Sequence, residues 1–93
     1  MFASNRAIIL ETRHFAHREA CRVCDRIAHL PGRHTIILDM SAAADATTSA
    51  FARLVLLRRE LRRHGRDLRL TGLRDRAAKL YEISRLARVL PQC

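Results

Sequence analysis

Tryptophan is absent from this chain, and the aromatic residues are only Phe2, Phe15, Phe51 and Tyr81. That is too few for a platform on which successive nucleic-acid bases stack. Glycine occurs three times and proline twice, which leaves no linker or low-complexity tract along the 93 residues. No apolar run approaches the length of a membrane span, about 18 residues or more. The opening "MFASNR" is not followed by an apolar stretch with a cleavage site, so a secretory signal is not expected. Three cysteines in so loop-poor a chain do not make a disulfide framework, and the expected compartment is a reducing cytoplasm. Acidic residues are also scarce, 9 against 18 basic ones, and Lys79 is the only lysine among them.

What is present suits a single folded domain. The chain is 48% hydrophobic and 29% charged, a balance that buries one core and argues against disorder. Its size allows one domain, residues 1–93, and not two. The net charge of +9 brings nucleic acid into consideration, since clustered arginines neutralise phosphates and release counterions. The competing explanation is that the arginines solvate the outer faces of helices.

Hydrophobic period gives the element order. "RAIILE", Arg6 to Glu11, is a short β-branched run that suits a buried strand. Ala16, Ala20, Val23, Ile27 and Leu30 recur at alternating spacings of about three and four, one face of a helix that Pro31 and Gly32 end. "HTIILDM", His34 to Met40, reads as a central strand buried on both faces. Ala50, Leu54, Leu57 and Leu61 line a second helix, widened by Phe51 and Val55 and closed by Gly65. "LRLTGL", Leu68 to Leu73, predicts a third strand. The segment after it predicts a last helix with Ala77, Leu80, Tyr81 and Ile83 inward and a break near Ser84. The fold class is therefore α/β in the order β-α-β-α-β-α, a small parallel or mixed sheet with helices packed against it. Three strands make a thin sheet, so either Met1 to Asn5 extends an edge or a partner covers one.

Between the second strand and the second helix stands "DATTSAF". Thr47, Thr48 and Ser49 fall at the helix cap and first turn, where a hydroxyl oxygen accepts a backbone N–H that the helix leaves unpaired. Capping needs one hydroxyl and the sequence supplies three. A phosphoryl group here would meet unpaired N–H groups and the positive helix end, which makes the position suitable for a charge switch.

The segment from Thr35 to Pro91 resembles the STAS domain of anti-sigma factor antagonists. Leu38-Asp39-Met40-Ser41 resembles the family's strand ending in Leu-Asp-x-Ser, Gly65 its helix end, Leu70-Thr71-Gly72-Leu73 its next strand, and Leu86-Ala87-Arg88-Val89-Leu90-Pro91 its tail. By spacing from Asp39, the hydroxyl that the family phosphorylates falls on Thr48 and the next one on Ser49. The motif's aspartate falls on Thr47, with Asp45 two residues earlier, and its glycine on Ala50. The resemblance implies a STAS-type docking module in bacterial signalling and transcription regulation. It also implies that Asp45, Thr47, Thr48, Ser49, Ala50 and Phe51 meet a protein partner and that phosphorylation at Thr48 breaks the complex. The implied partner is an anti-sigma serine/threonine kinase. A second branch of the same family implies instead the ATPase of a lipid-transport ABC complex, for which this chain would be a small cytoplasmic subunit.

Other constellations carry less. His14, His17, Cys21 and Cys24 recur at spacings that could line one helix face, but four ligands on a straight helix cannot close a tetrahedron, and no metal site is expected. "CRVC" sits in mid-helix, away from the helix start that would activate a dithiol, and Cys93 is expected to be a frayed, free thiol. No nucleophile elbow or paired carboxylate accompanies the hydroxyls, so neither catalysis nor a cofactor is expected. Asp39 and Asp45 are expected to shape the loop and cap the helix. Arg58, Arg59, Arg62, Arg63 and Arg66 form a basic stripe, the basis of a nucleic-acid alternative. Membrane insertion is not expected, and a homodimer is a further expectation.

Overall fold

A computed structural model describes residues 5–32 and 34–93 of the chain. The elements run β1 (Asn5–Ile9), β2 (His14–Phe15), α1 (His17–Ala28), β3 (Thr35–Asp39), β4 (Asp45–Ala46), α2 (Thr48–Arg63), β5 (Asp67–Thr71) and α3 (Asp75–Ile83), followed by a 3-10 turn at Leu86–Arg88. The main sheet has the order β1-β3-β5 and is parallel throughout, with Ile9 opposite Asp39 and Asp39 opposite Thr71. Parallel neighbours need a crossover, and α1 and α2 supply the two. The expected β-α-β-α-β-α order is therefore present, with two short strands added.

Alternation decides which sheet face is covered. Ile8, Ile36, Leu38, Leu68 and Leu70 point one way and are buried against Ala20, Cys24 and Ile27 of α1, and Ala50, Phe51, Leu54, Leu57 and Leu61 of α2. Burying each leucine, isoleucine or phenylalanine side chain stabilises by about 1.5–3 kcal/mol, and this layer is the core. Tyr81 closes it from α3, its ring edge-on to Phe51 at 6.2 Å and its hydroxyl donating to the Leu90 carbonyl at 2.7 Å.

Three expectations are corrected. β3 is fully buried on one side only, because Thr35 and Ile37 are half-buried. β1 lies at the sheet edge, so Ile8 is buried while Ile9 is 65% exposed. Ile83 points out at 79% exposure: the chain turns at Ser84, Arg85 takes a left-handed conformation, and Leu86 and Leu90 approach the core instead. The free edge of β5 is covered by the chain's own end, since Leu70 donates to Pro91 and Cys93 donates back to Leu70. Cys93 is thus held through its backbone rather than frayed, with its thiol exposed and free. Of the suggested N-terminal edge extension, Asn5 belongs to β1 and the earlier residues lie outside the described ones.

Gly65 ends α2 with a φ of +72°, as expected. Gly72, at a φ of +74°, lies against the turn that leaves β3, where a Cβ would stand 3.0 Å from the Ser41 backbone nitrogen. Among the described residues no helix is long and apolar enough to cross a membrane.

Candidate functional site

Two connections leave the C-terminal ends of β1 and β3 and run side by side. Ala44 donates to the Arg13 carbonyl at 2.9 Å and Thr47 to the Phe15 carbonyl at 3.0 Å, which zips β2 to β4 as a parallel pair. The pairing sets the starts of α1 and α2 next to one another. Both first turns face the same end of the molecule, so their unpaired N–H groups and positive dipole ends add.

Thr47 is the cap of α2. Its hydroxyl oxygen accepts from the Ala50 backbone N–H at 3.1 Å and its carbonyl from Phe51 at 3.2 Å. Thr48, the first helical residue, is exposed and makes no side-chain hydrogen bond among the described residues. Ser49 is exposed as well, but its hydroxyl lies 2.8 Å from Nδ1 of His17, the first residue of α1. On the other side of that ring, Nε2 lies 3.4 Å from the Cys21 thiol. The three hydroxyls thus have separate employments: one capping, one unbonded, one tied to the neighbouring helix.

Several expected roles change. Ala50 and Phe51 are 0% and 1% exposed, so they hold α2 to the core and present no contact surface. Asp45 does not cap α2; it pairs with His14 across β2 and β4. Asp39 shapes the turn after β3, where the hydroxyl and backbone N–H of Ser41 hold its carboxyl below the usual carboxylate range. Arg74 reaches the same turn, donating to the Ser41 carbonyl at 2.5 Å.

The supposed row of His14, His17, Cys21 and Cys24 also separates. His14 belongs to β2, and Cys24 faces the core, where burial pushes its thiol up to about 11. Only His17 and Cys21 meet. The basic stripe is interrupted too: Arg58, with its side chain 12% exposed, donates to Asp67 at 2.8 Å and to the Val89 carbonyl at 3.3 Å. Arg59, Arg62 and Arg63 remain exposed, while Arg66 is half-buried beyond the helix.

The His17–Ser49 contact was missed in the sequence because it joins residues 32 apart. One signal pointed to it: the connections from β1 to α1 and from β3 to α2 are nearly equal in length, so parallel strands carry their helix starts to the same level.

The sequence pattern of the STAS domain matches residues 3–92. The chain belongs to the STAS domain family. Comparison with curated proteins gives no match. The family match extends well before Thr35, where the visible resemblance began, and takes in β1 and α1. STAS domains bind partner proteins in regulation, and that general role is this chain's. Thr47 caps α2, a task to which threonine and aspartate are both suited.

Proposed function

We propose that this STAS domain docks a protein partner through the paired starts of α1 and α2 and that a phosphoryl group on Thr48 releases it. The observation that carries the proposal is the division of labour among the hydroxyls. Thr47 is committed to the cap and Ser49 to His17, which leaves Thr48 exposed and unbonded at the position the family phosphorylates. A dianion is tolerated there in the free protein, because it lies in the first turn of a helix. In a desolvated interface the same dianion is strongly unfavourable. The partner of this reading is an anti-sigma serine/threonine kinase, the domain itself does no catalysis, and the setting is the cytoplasm.

A second reading, docking to the ATPase of a lipid-transport complex, uses the same surface without phosphorylation. Ala50 supports it. Where the phosphorylated motif carries glycine, this chain has a buried methyl that fixes the first turn against the core.

The test is a pulldown from native cytoplasm with wild type and Thr48→Asp at moderate salt, read by mass spectrometry. Capture of a serine/threonine kinase by wild type and its loss with Thr48→Asp supports the switch. Capture of an ABC ATPase by both forms selects the transport reading. Recovery of nucleic acid and its binding proteins alone would overturn both.

A further inference from the structure

β1 is an edge of the main sheet, and among the described residues no strand lies on its outer side. In a parallel ladder, alternate residues send both backbone groups to the same neighbour. Leu10 donates to the Asp39 carbonyl at 2.9 Å, so the backbone groups of Arg6, Ile8 and Leu10 face β3 and those of Ala7 and Ile9 point outward. The other edge of the sheet is closed. Of the outward donors of β5, the Leu68 N–H goes to the Asp67 carboxylate at 2.8 Å and the Leu70 N–H to the Pro91 carbonyl at 3.0 Å.

An open edge recruits another strand unless proline, lysine or a bulge blunts it. β1 has none of these: its register with β3 is unbroken from Asn5 to Ile9, and Arg6 is its one charge. Beside the edge lies a groove of about 530 Å³, lined by residues 7–11 and by Val23 and Arg26 of α1.

We propose that β1 pairs antiparallel with β1 of a second copy, about a two-fold axis at Ile8, to give one continuous sheet. The segment is self-complementary in this register. Ile8 meets Ile8, exposed Ile9 lies over Ala7 of the other copy, and Asn5 stands opposite Glu11. The Ala7–Ile9 pairs are the hydrogen-bonded ones, because theirs are the backbone groups that point outward. Charge agrees as well. Arg6 and Glu11 are the only charged side chains in residues 5–11, and the register brings Arg6 of each copy within one residue of Glu11 of the other. Moving the axis to Ala7 would set Asn5 against Ile9, and moving it to Ile9 would set Glu11 against Ala7.

Since the β5 edge is closed, the pairing uses the main sheet's one open edge among the described residues, and assembly stops at two copies. The starts of α1 and α2 stand at the C-terminal ends of the strands, so antiparallel pairing points the two docking surfaces in opposite directions and leaves both open. The dimer does not rest on the docking proposal, and either can fail alone.

Sedimentation equilibrium of the full, reduced chain at about 100 µM, above the micromolar end of ordinary interfaces, should give a dimer. Ile9→Lys and Ala7→Pro should each weaken association by about tenfold or more, because both blunt an edge. Neither should unfold the monomer, which circular dichroism checks: Ile9 is exposed, and the Ala7 N–H that proline removes makes no bond among the described residues. The register is read by disulfide trapping. Chains with Ala7→Cys are mixed with chains with Ile9→Cys, each also carrying Cys21→Ser and Cys93→Ser, and oxidised. Residues opposite one another as a hydrogen-bonded pair lie about 5.5 Å apart at Cα, within disulfide range, so the mixed disulfide should exceed either self-disulfide. A wild-type monomer at that concentration, or a dimer that either edge variant leaves unchanged, would overturn the interface. Predominant self-disulfides would overturn the register.

Discussion

At the scale of single residues, Thr47 shows how one side chain can carry a structural duty that frees its neighbours. Its oxygen satisfies the Ala50 N–H, and the helix start it fixes sets where Thr48 and Ser49 point. Thr47→Ala should cost about 1 kcal/mol, the usual loss of a hydroxyl cap, whereas Thr47→Asp should keep most of that stability because a carboxylate both caps and meets the positive helix end. Urea unfolding of the three proteins checks this, and a loss no larger for alanine than for aspartate would show that Thr47 does not cap. The cap was legible in the sequence, since hydroxyls stood directly before a helical period. The burial of Phe51 was legible in the same period, because it flanks Ala50, Leu54 and Leu57, yet the resemblance drew it to the surface. Packing against Tyr81 decides the matter in favour of the core.

At the scale of elements, period alone located three strands and three helices, and it failed where pairing rather than side-chain pattern makes the structure. β2 and β4 are two residues each, defined by hydrogen bonds between connections some thirty residues apart, and no local pattern announces them. Ile83 kept the period of α3, but the left-handed turn at Arg85 redirects the chain before that face can be used. The coupling of α2 to β5 was equally hidden. Asp67 gathers Arg58 at 2.8 Å, Arg69 at 3.4 Å and the Leu68 N–H at 2.8 Å on one partly buried carboxylate. Burial opposes its charge, but the Leu68 N–H and the Arg58 guanidinium outweigh that, and its pKa lies below the ordinary value. The unfolded chain titrates this group near pH 3.9, so the stabilisation is present above about that pH and disappears as pH falls through the lower folded value. Asp67→Ala should therefore cost about 1.5–3 kcal/mol near neutrality, the range for hydrogen bonds to charged groups. Its deficit against wild type should shrink on acidification below about pH 4. Denaturant unfolding at several pH values measures it, and a deficit independent of pH would assign the loss to packing alone.

At the scale of the whole molecule, the charge of +9 is less available than the sequence suggested. Arg58 is bound to Asp67 and Val89, and Glu60 lies within ion-pair distance of Arg63 and His64. What remains exposed on the back of α2 is Arg59, Arg62 and Arg63, turned away from the core and well along the helix from Thr48. A duplex bound there through all three arginines would show a slope of about −2.7 in log affinity against log salt, since each neutralised phosphate contributes about −0.9. The three substitutions to alanine would then weaken binding about equally. Docking through the starts of α1 and α2 predicts the reverse: a triple alanine variant keeps its protein partner, and the complex survives a rise from about 50 mM to about 200 mM salt that would release a phosphate-bound ligand. Partner affinity measured at both salt concentrations, for wild type, the triple variant and Thr48→Asp, separates the two surfaces. Loss confined to Thr48→Asp places recognition at the helix starts, and loss confined to the triple variant would move it to the back of α2.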